Sequence, residues 1–263
     1  MGHDGGATSL SAALALRAEL LGPARTRVLT EAELSHAGRV FHGRPEGLSL
    51  YGVAAPSMVG RGLRLLGRTA IECSVDDHCA PFAEALAECL AHEPDLTPGY
   101  VADLFCGSGN VGFHLRARLG LPVFAAELDP AVHAATRHNF RVLGIDVDLR
   151  HADYRELLAC LPPPRPGDVV VVEPPWGAAL TPSGLDVAAT EPPVPGILAD
   201  IRAARAGVPC LVALQVIVVG ADDTTTRPSL RRCFAGARHL LAVPAPASFA
   251  TGATVEFHVY AVS

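Results

Sequence analysis

Val101-Ala-Asp103-Leu-Phe105-Cys106-Gly107-Ser108-Gly109-Asn110-Val-Gly112 is an apolar strand that runs through a glycine turn into a helix. Glycines there permit a tight turn and close approach of backbone to a ligand, and the helix beginning near Val111 aims its free N–H groups at the same place. The pattern downstream alternates. Strands are expected near 100–105, 123–127, 146–150, 169–173 and 210–219. Helices are expected near 111–119, 131–143 and 195–206, with a shorter one near 154–161. Buried strands separated by helices of ten or more residues mean a parallel sheet covered on both faces. Two last strands, near 237–243 and 254–262, have no helix between them and so pair antiparallel. The expected fold is α/β: a Rossmann-like doubly wound seven-stranded sheet, parallel except for an antiparallel C-terminal hairpin.

Upstream the pattern is less regular. Residues 1–70 are read as a mainly helical N-terminal extension that covers the active site, and 71–263 as the catalytic domain. Residues 1–7 read as a loose tail, Ser9 or Ser11 as the cap of a helix reaching Leu21, and Leu48–Val53 as a short strand. Pro81–His92 reads as an amphipathic helix, with Phe82, Leu86, Cys89 and Leu90 on one side.

Composition narrows the functional classes. The chain has 263 residues, 49% hydrophobic and 18% charged, as in a well-packed enzyme. Its net charge of −6 argues against a large nucleic-acid footprint. That charge is uneven: residues 1–70 hold eight arginines and five acids, the remainder thirteen and twenty-two. Arg61, Arg64 and Arg68 would share one face if their segment were helical, as a solvated surface or as a patch for an anionic acceptor. There is no lysine. The seven cysteines are scattered without a CxxC pair, which suggests a reducing compartment and no metal site. The longest apolar run, 208–219, is interrupted by Gln215 and is too short to span a bilayer. Arg17 breaks the Leu/Ala stretch near the start, so no signal peptide is expected and the location is taken as cytoplasmic.

A second motif decides between ligands. Val169-Val-Val-Val-Glu173-Pro174-Pro175-Trp176-Gly177 is a buried strand that ends in a rigid aromatic corner. At the carboxyl end of a central strand it stands where open α/β sheets bind ligands. Two prolines fix the backbone and leave carbonyls free to accept from an amino group, and Trp176 offers a flat face for a heteroaromatic ring. The glycine turn alone also fits NAD. Asp103 at the strand's end, however, would repel a pyrophosphate and suit the ammonium of a methionine moiety, and Glu-Pro-Pro-Trp has no part in hydride transfer. Glu127, closing the next strand, is placed for the hydroxyls of a ribose, and Asp153 for an adenine amino group. The expected cofactor is S-adenosylmethionine. An NAD-dependent oxidoreductase and a non-catalytic nucleotide-binding module are the rival classes.

The stretch 101–177 resembles class I S-adenosylmethionine-dependent methyltransferases of the amino-methylating kind, and most closely the trimethylguanosine synthase family, which methylates N2 of a cap guanine. The matching pieces are Asp103-Leu-Phe105-Cys106-Gly107, Glu127-Leu128-Asp129-Pro130 and Pro174-Pro175-Trp176-Gly177, with echoes in His138-Asn139-Phe140 and Gly144-Ile145. The resemblance implies that Trp176 stacks on the acceptor base. Glu173 departs from it, standing where that family has Ser and nucleobase amino-methyltransferases have Asp or Asn.

The donor is thus expected along Asp103, Cys106, Gly107, Ser108, Gly109 and Asn110, then Glu127, Leu128 and Asp153, with Phe105 and Tyr154 lining the pocket. Glu173, Pro174 and Trp176 are the expected catalytic residues, holding the acceptor's N–H groups and its ring. A small heteroaromatic or amine acceptor suits the acidic charge, and an RNA nucleobase is the alternative. No membrane partner is expected, and the oligomeric state is not legible.

Overall fold

The structure, a computed structural model, describes residues 10–220, 223–245 and 253–263. The N-terminal tail, the possible Ser9 cap and most of the link between the last two strands lie outside these residues.

The extension builds a small core of its own. Helix α1 (Leu10–Leu21) is followed by α2 (Glu31–His42), which starts at a reciprocal cap: Thr30 and Glu33 each bond the other's backbone N–H. Such a cap contributes about 1 kcal/mol. A hairpin of two-residue strands, Ser49–Leu50 with Val53–Ala54, replaces the single strand expected there. Short helices α3 (Ala55–Met58) and α4 (Thr69–Glu72) follow. The segment between them is not helical, so the condition for a shared arginine face fails. Arg68 instead bonds Glu72 at 2.7 Å and Asp129 at 2.6 Å. Leu34, Leu48, Leu50, Met58 and Leu65 pack together and close on Phe140 from the main domain.

After α5 (Asp76–Ala91) comes the sheet: β1 (Val101–Asp103), α6 (Asn110–Leu119), β2 (Val123–Glu127), α7 (Pro130–Leu143), β3 (Asp148–His151), α8 (Tyr154–Cys160), β4 (Asp168–Val171), α9 (Val194–Arg205), β5 (Cys210–Val219), α10 (Thr226–Cys233), β6 (Arg238–Pro244) and β7 (Ala253–Val262). The strand order is β6-β7-β5-β4-β1-β2-β3. Strands β1 to β5 run parallel, and β7 lies antiparallel to both β5 and β6. The fold is therefore the Rossmann-like seven-stranded sheet that the alternation predicts.

Strands β1 and β4 are buried throughout, which is why they read as short apolar runs, with Asp103 and Asp168 buried at their ends. The chain winds outward from β1 through β2 and β3, then crosses back to β4. In open sheets such a reversal, here between β1 and β4, opens a crevice at the carboxyl ends of the two strands, where ligands bind.

Candidate active site

Asp103 ends β1 and is only 2% exposed. Its carboxyl accepts from the backbone N–H groups of Phe105 and Gly112, so it sits beneath the turn rather than open to solvent. Burial, aided by the nearby Glu127 charge, pushes this group up to about 7. Gly112 leaves room for it: a Cβ there would stand 3.5 Å from Asp103 Oδ2 and 3.1 Å from Val123.

The turn itself is pinned from several sides. Gly107 and Gly109 have φ of 52° and 74°, the left-handed region that favours glycine. Gly107 donates to Glu127 Oε2 at 3.0 Å, and its carbonyl accepts from Thr136 at 2.7 Å. Glu127 Oε1 accepts from Asp129 N at 2.7 Å. Each carboxylate oxygen has a second lone pair, so a ribose can still be bound there. Burial raises the Glu127 carboxyl, against the pull of those two N–H groups. Beyond it Leu128 is 65% exposed, an apolar surface beside the glycine turn. Asp153 caps α8, accepting from Arg155 N at 2.9 Å.

Two expected donor residues are already engaged. The Asn110 side chain is buried and bonds Tyr51 N at 2.8 Å, Ser74 O at 2.8 Å and Asp76 at 3.1 Å, leaving only its backbone for a ligand. Tyr154 is buried against Phe105 with ring centroids 5.0 Å apart, and its hydroxyl donates to Asp200 at 2.6 Å. Cys106 and Ser108 are buried in the turn as well, and the Ser108 carbonyl accepts from the Tyr51 hydroxyl.

On the other side of the crevice, Pro174 is buried, Pro175 exposed and Trp176 half-buried. Trp176 packs on the same core as Phe105 and Tyr154, and its carbonyl starts a short 3₁₀ turn by accepting from Ala179 at 2.9 Å. Glu173 follows β4 with its Oε1 buried and unpartnered, while Oε2 meets the Ser74 hydroxyl at 3.2 Å. Burial first, then the Asp103 charge, push its carboxyl up to about 8. Among the described residues no arginine or histidine pairs with Asp103, Glu127 or Glu173. Carboxyl groups therefore stand on both sides of the crevice without an ion pair, and burial favours the neutral form of Glu173, while the Arg68 charge draws Glu127 down against the effect of burial.

Sequence reasoning missed Tyr51, Ser74 and Gln215. Tyr51 lies in the stretch that seemed irregular and Ser74 just beyond it, and nothing local marks either. Gln215 was visible as the polar break in an apolar run.

No family model matches the chain, and no curated protein matches it. Among solved structures, TrmN from Thermus thermophilus is 20% identical with a TM-score of 0.46, over 79% of this chain and 53% of that one. Magnesium protoporphyrin IX methyltransferase from Synechocystis PCC 6803, solved with S-adenosylmethionine, is 14% identical with a TM-score of 0.42, over 71% and 80%. The tRNA (uracil-54, C5)-methyltransferase of Pyrococcus abyssi, solved with S-adenosyl-L-homocysteine, is 17% identical with a TM-score of 0.40, over 68% and 38%. Each is a distant likeness of fold.

Proposed function

We propose that this chain is an S-adenosylmethionine-dependent N-methyltransferase acting on a small, planar nitrogen heteroaromatic stacked on Trp176. One observation carries the reading: carboxyl groups with no ion-pair partner flank the carboxyl ends of β1 and β4, Asp103 and Glu127 on the donor side and Glu173 on the acceptor side. A dinucleotide would bring a pyrophosphate against Asp103 and Glu127, at the cost of like-charge repulsion. A sulfonium amino acid brings two positive centres instead. The turn of Gly107 to Gly109 lets the backbone approach it, Glu127 takes the ribose, and Leu128 and Asp153 flank the adenine.

Bound there, S-adenosylmethionine supplies a methyl group that passes to the acceptor nitrogen as the N–C bond forms and the C–S bond breaks, leaving a neutral thioether. The protein's share is alignment in a closed pocket. Trp176 fixes the plane of the ring, and the Pro174 carbonyl and Glu173 Oε1 hold N–H groups where positive charge develops. The methylated nitrogen becomes acidic and releases its proton to water without a strong base.

An RNA nucleobase offers the same ring, and the likeness to trimethylguanosine synthase points that way. The net charge of −6 and the engagement of Arg68 with Glu72 and Asp129 favour a free molecule. Acceptor binding that weakens steeply with salt would reverse that preference. For the donor, isothermal titration should show S-adenosylhomocysteine binding and no heat with NAD. Glu127→Ala should abolish the signal. Trp176→Ala should preserve it while eliminating methyl transfer from labelled donor. Heat with NAD alone would overturn the proposal.

A further inference from the structure

Three side chains meet below the Pro-Pro corner and share too few protons. The Ser74 hydroxyl lies 3.2 Å from Glu173 Oε2 and 3.2 Å from Gln215 Oε1. A hydroxyl has one proton to give, so it cannot donate to both. With the Gln215 carbonyl on Ser74, the count closes if Glu173 is protonated, donating to Ser74 while Ser74 donates to Gln215. Burial beside Asp103 favours that neutral form near pH 7. In that relay the Gln215 carbonyl rests on Ser74 and its NH₂ is directed elsewhere.

What remains is a matched pair. Glu173 Oε1 is an acceptor and Gln215 Nε2 a donor, both buried and neither with a partner. The register places them side by side. Strand β4 pairs with β5 through Val171 and Ala213, and two residues further along, Glu173 just past the end of β4 and Gln215 on β5 both reach Ser74. Across β7 the neighbour of Gln215 is Phe257, stacked on Phe82 at 4.2 Å, which offers the amide no hydrogen bond. Buried polar groups are nearly always paired, and two left open together ask for a ligand.

We propose that Glu173 and Gln215 read one edge of the acceptor, Glu173 Oε1 taking the N–H of the nitrogen to be methylated and Gln215 Nε2 donating to a ring nitrogen or carbonyl oxygen beside it. This rests on the methyltransferase reading and narrows it. The acceptor belongs to the class whose amino or imino N–H is conjugated to an adjacent hydrogen-bond acceptor, as in a 2-amino-azine or a lactam. An aliphatic amine has no such acceptor and would leave Gln215 unpaired. Sites built to hydrogen-bond a ligand discriminate strongly against analogues that lack the matching group.

The test uses two neutral probes of similar size, 2-aminopyrimidine and aniline, titrated by NMR at about pH 7 into protein saturated with S-adenosylhomocysteine. Wild-type protein should bind 2-aminopyrimidine about tenfold more tightly than aniline, the worth of one buried hydrogen bond. Gln215→Met keeps the side chain's length without its polar atoms and should erase the preference while leaving S-adenosylhomocysteine affinity intact. Equal binding of the two probes, binding of neither, or tighter binding of n-butylamine by the wild-type protein overturns the inference, with no variant needed. Failure of S-adenosylhomocysteine itself to bind is read beforehand, in a separate titration, and counts against the methyltransferase reading instead.

Discussion

At the scale of single residues, Asp103 carries the sharpest expectation. Burial displaces its carboxyl from 3.8 to about 7. A bound cation pulls such a group back down, so binding expels a proton and the affinity for S-adenosylhomocysteine rises as the pH climbs through 7. The rise from pH 6 to pH 8 should be about tenfold by linkage, measurable by calorimetry in buffers of differing ionisation heat. A pH-independent affinity would mean that Asp103 does not meet the ligand's charge. The sign reverses for the empty protein. Between pH 4 and 7 the folded state keeps a proton that the unfolded chain has surrendered, so this residue's contribution to stability is lost over that interval. Asp103→Asn should flatten that part of the melting-temperature profile.

Elements explain why some of this was legible in the sequence and some was not. The strands β1, β4 and β5 announce themselves because burial on both faces leaves mostly apolar side chains, and the turn at Gly107 because positive φ leaves little choice but glycine. Helix α2 was overlooked although Thr30, Glu33 and Gly43 mark both its ends, since its neighbours are rich in Gly and Pro. Tyr51 and Ser74 were not legible at all: their partners Ser108, Asn110 and Gln215 are between 36 and 141 residues away in sequence. The same long-range packing makes Gly109 intolerant. A Cβ there would stand 2.4 Å from Phe140 Cζ, on a backbone with φ of 74°. Gly109→Ala should therefore cost about 2 to 4 kcal/mol from strain and overpacking together, visible as a lower urea midpoint.

For the molecule as a whole, the extension and the sheet are one packed object. Phe140 of α7 belongs to the extension's core, Asn139 exchanges two hydrogen bonds of 2.8 Å with the Arg64 backbone, and His138 meets the Gly62 carbonyl at 2.9 Å. Deleting residues 1–75 would bare this apolar face, unpair Asn139 and strip Asn110 of its bonds to Tyr51 and Ser74. The remaining domain should aggregate or bind a hydrophobic dye, and it should lose affinity for S-adenosylhomocysteine because the Tyr51 clamp on the glycine turn is gone. A truncated chain that stays monodisperse and binds normally would show the extension to be dispensable for the donor.

The clamp has a further consequence for how the protein is made. Translation releases the segment carrying Tyr51 and Leu50 well before Ser108, Asn110 and Phe140 exist. Its greasy surfaces must therefore wait, half-assembled, while some ninety more residues leave the ribosome, a delay of about 5 to 20 seconds at ordinary elongation rates. During that interval the nascent extension is exposed to chaperones, and only the arrival of α7 lets it close.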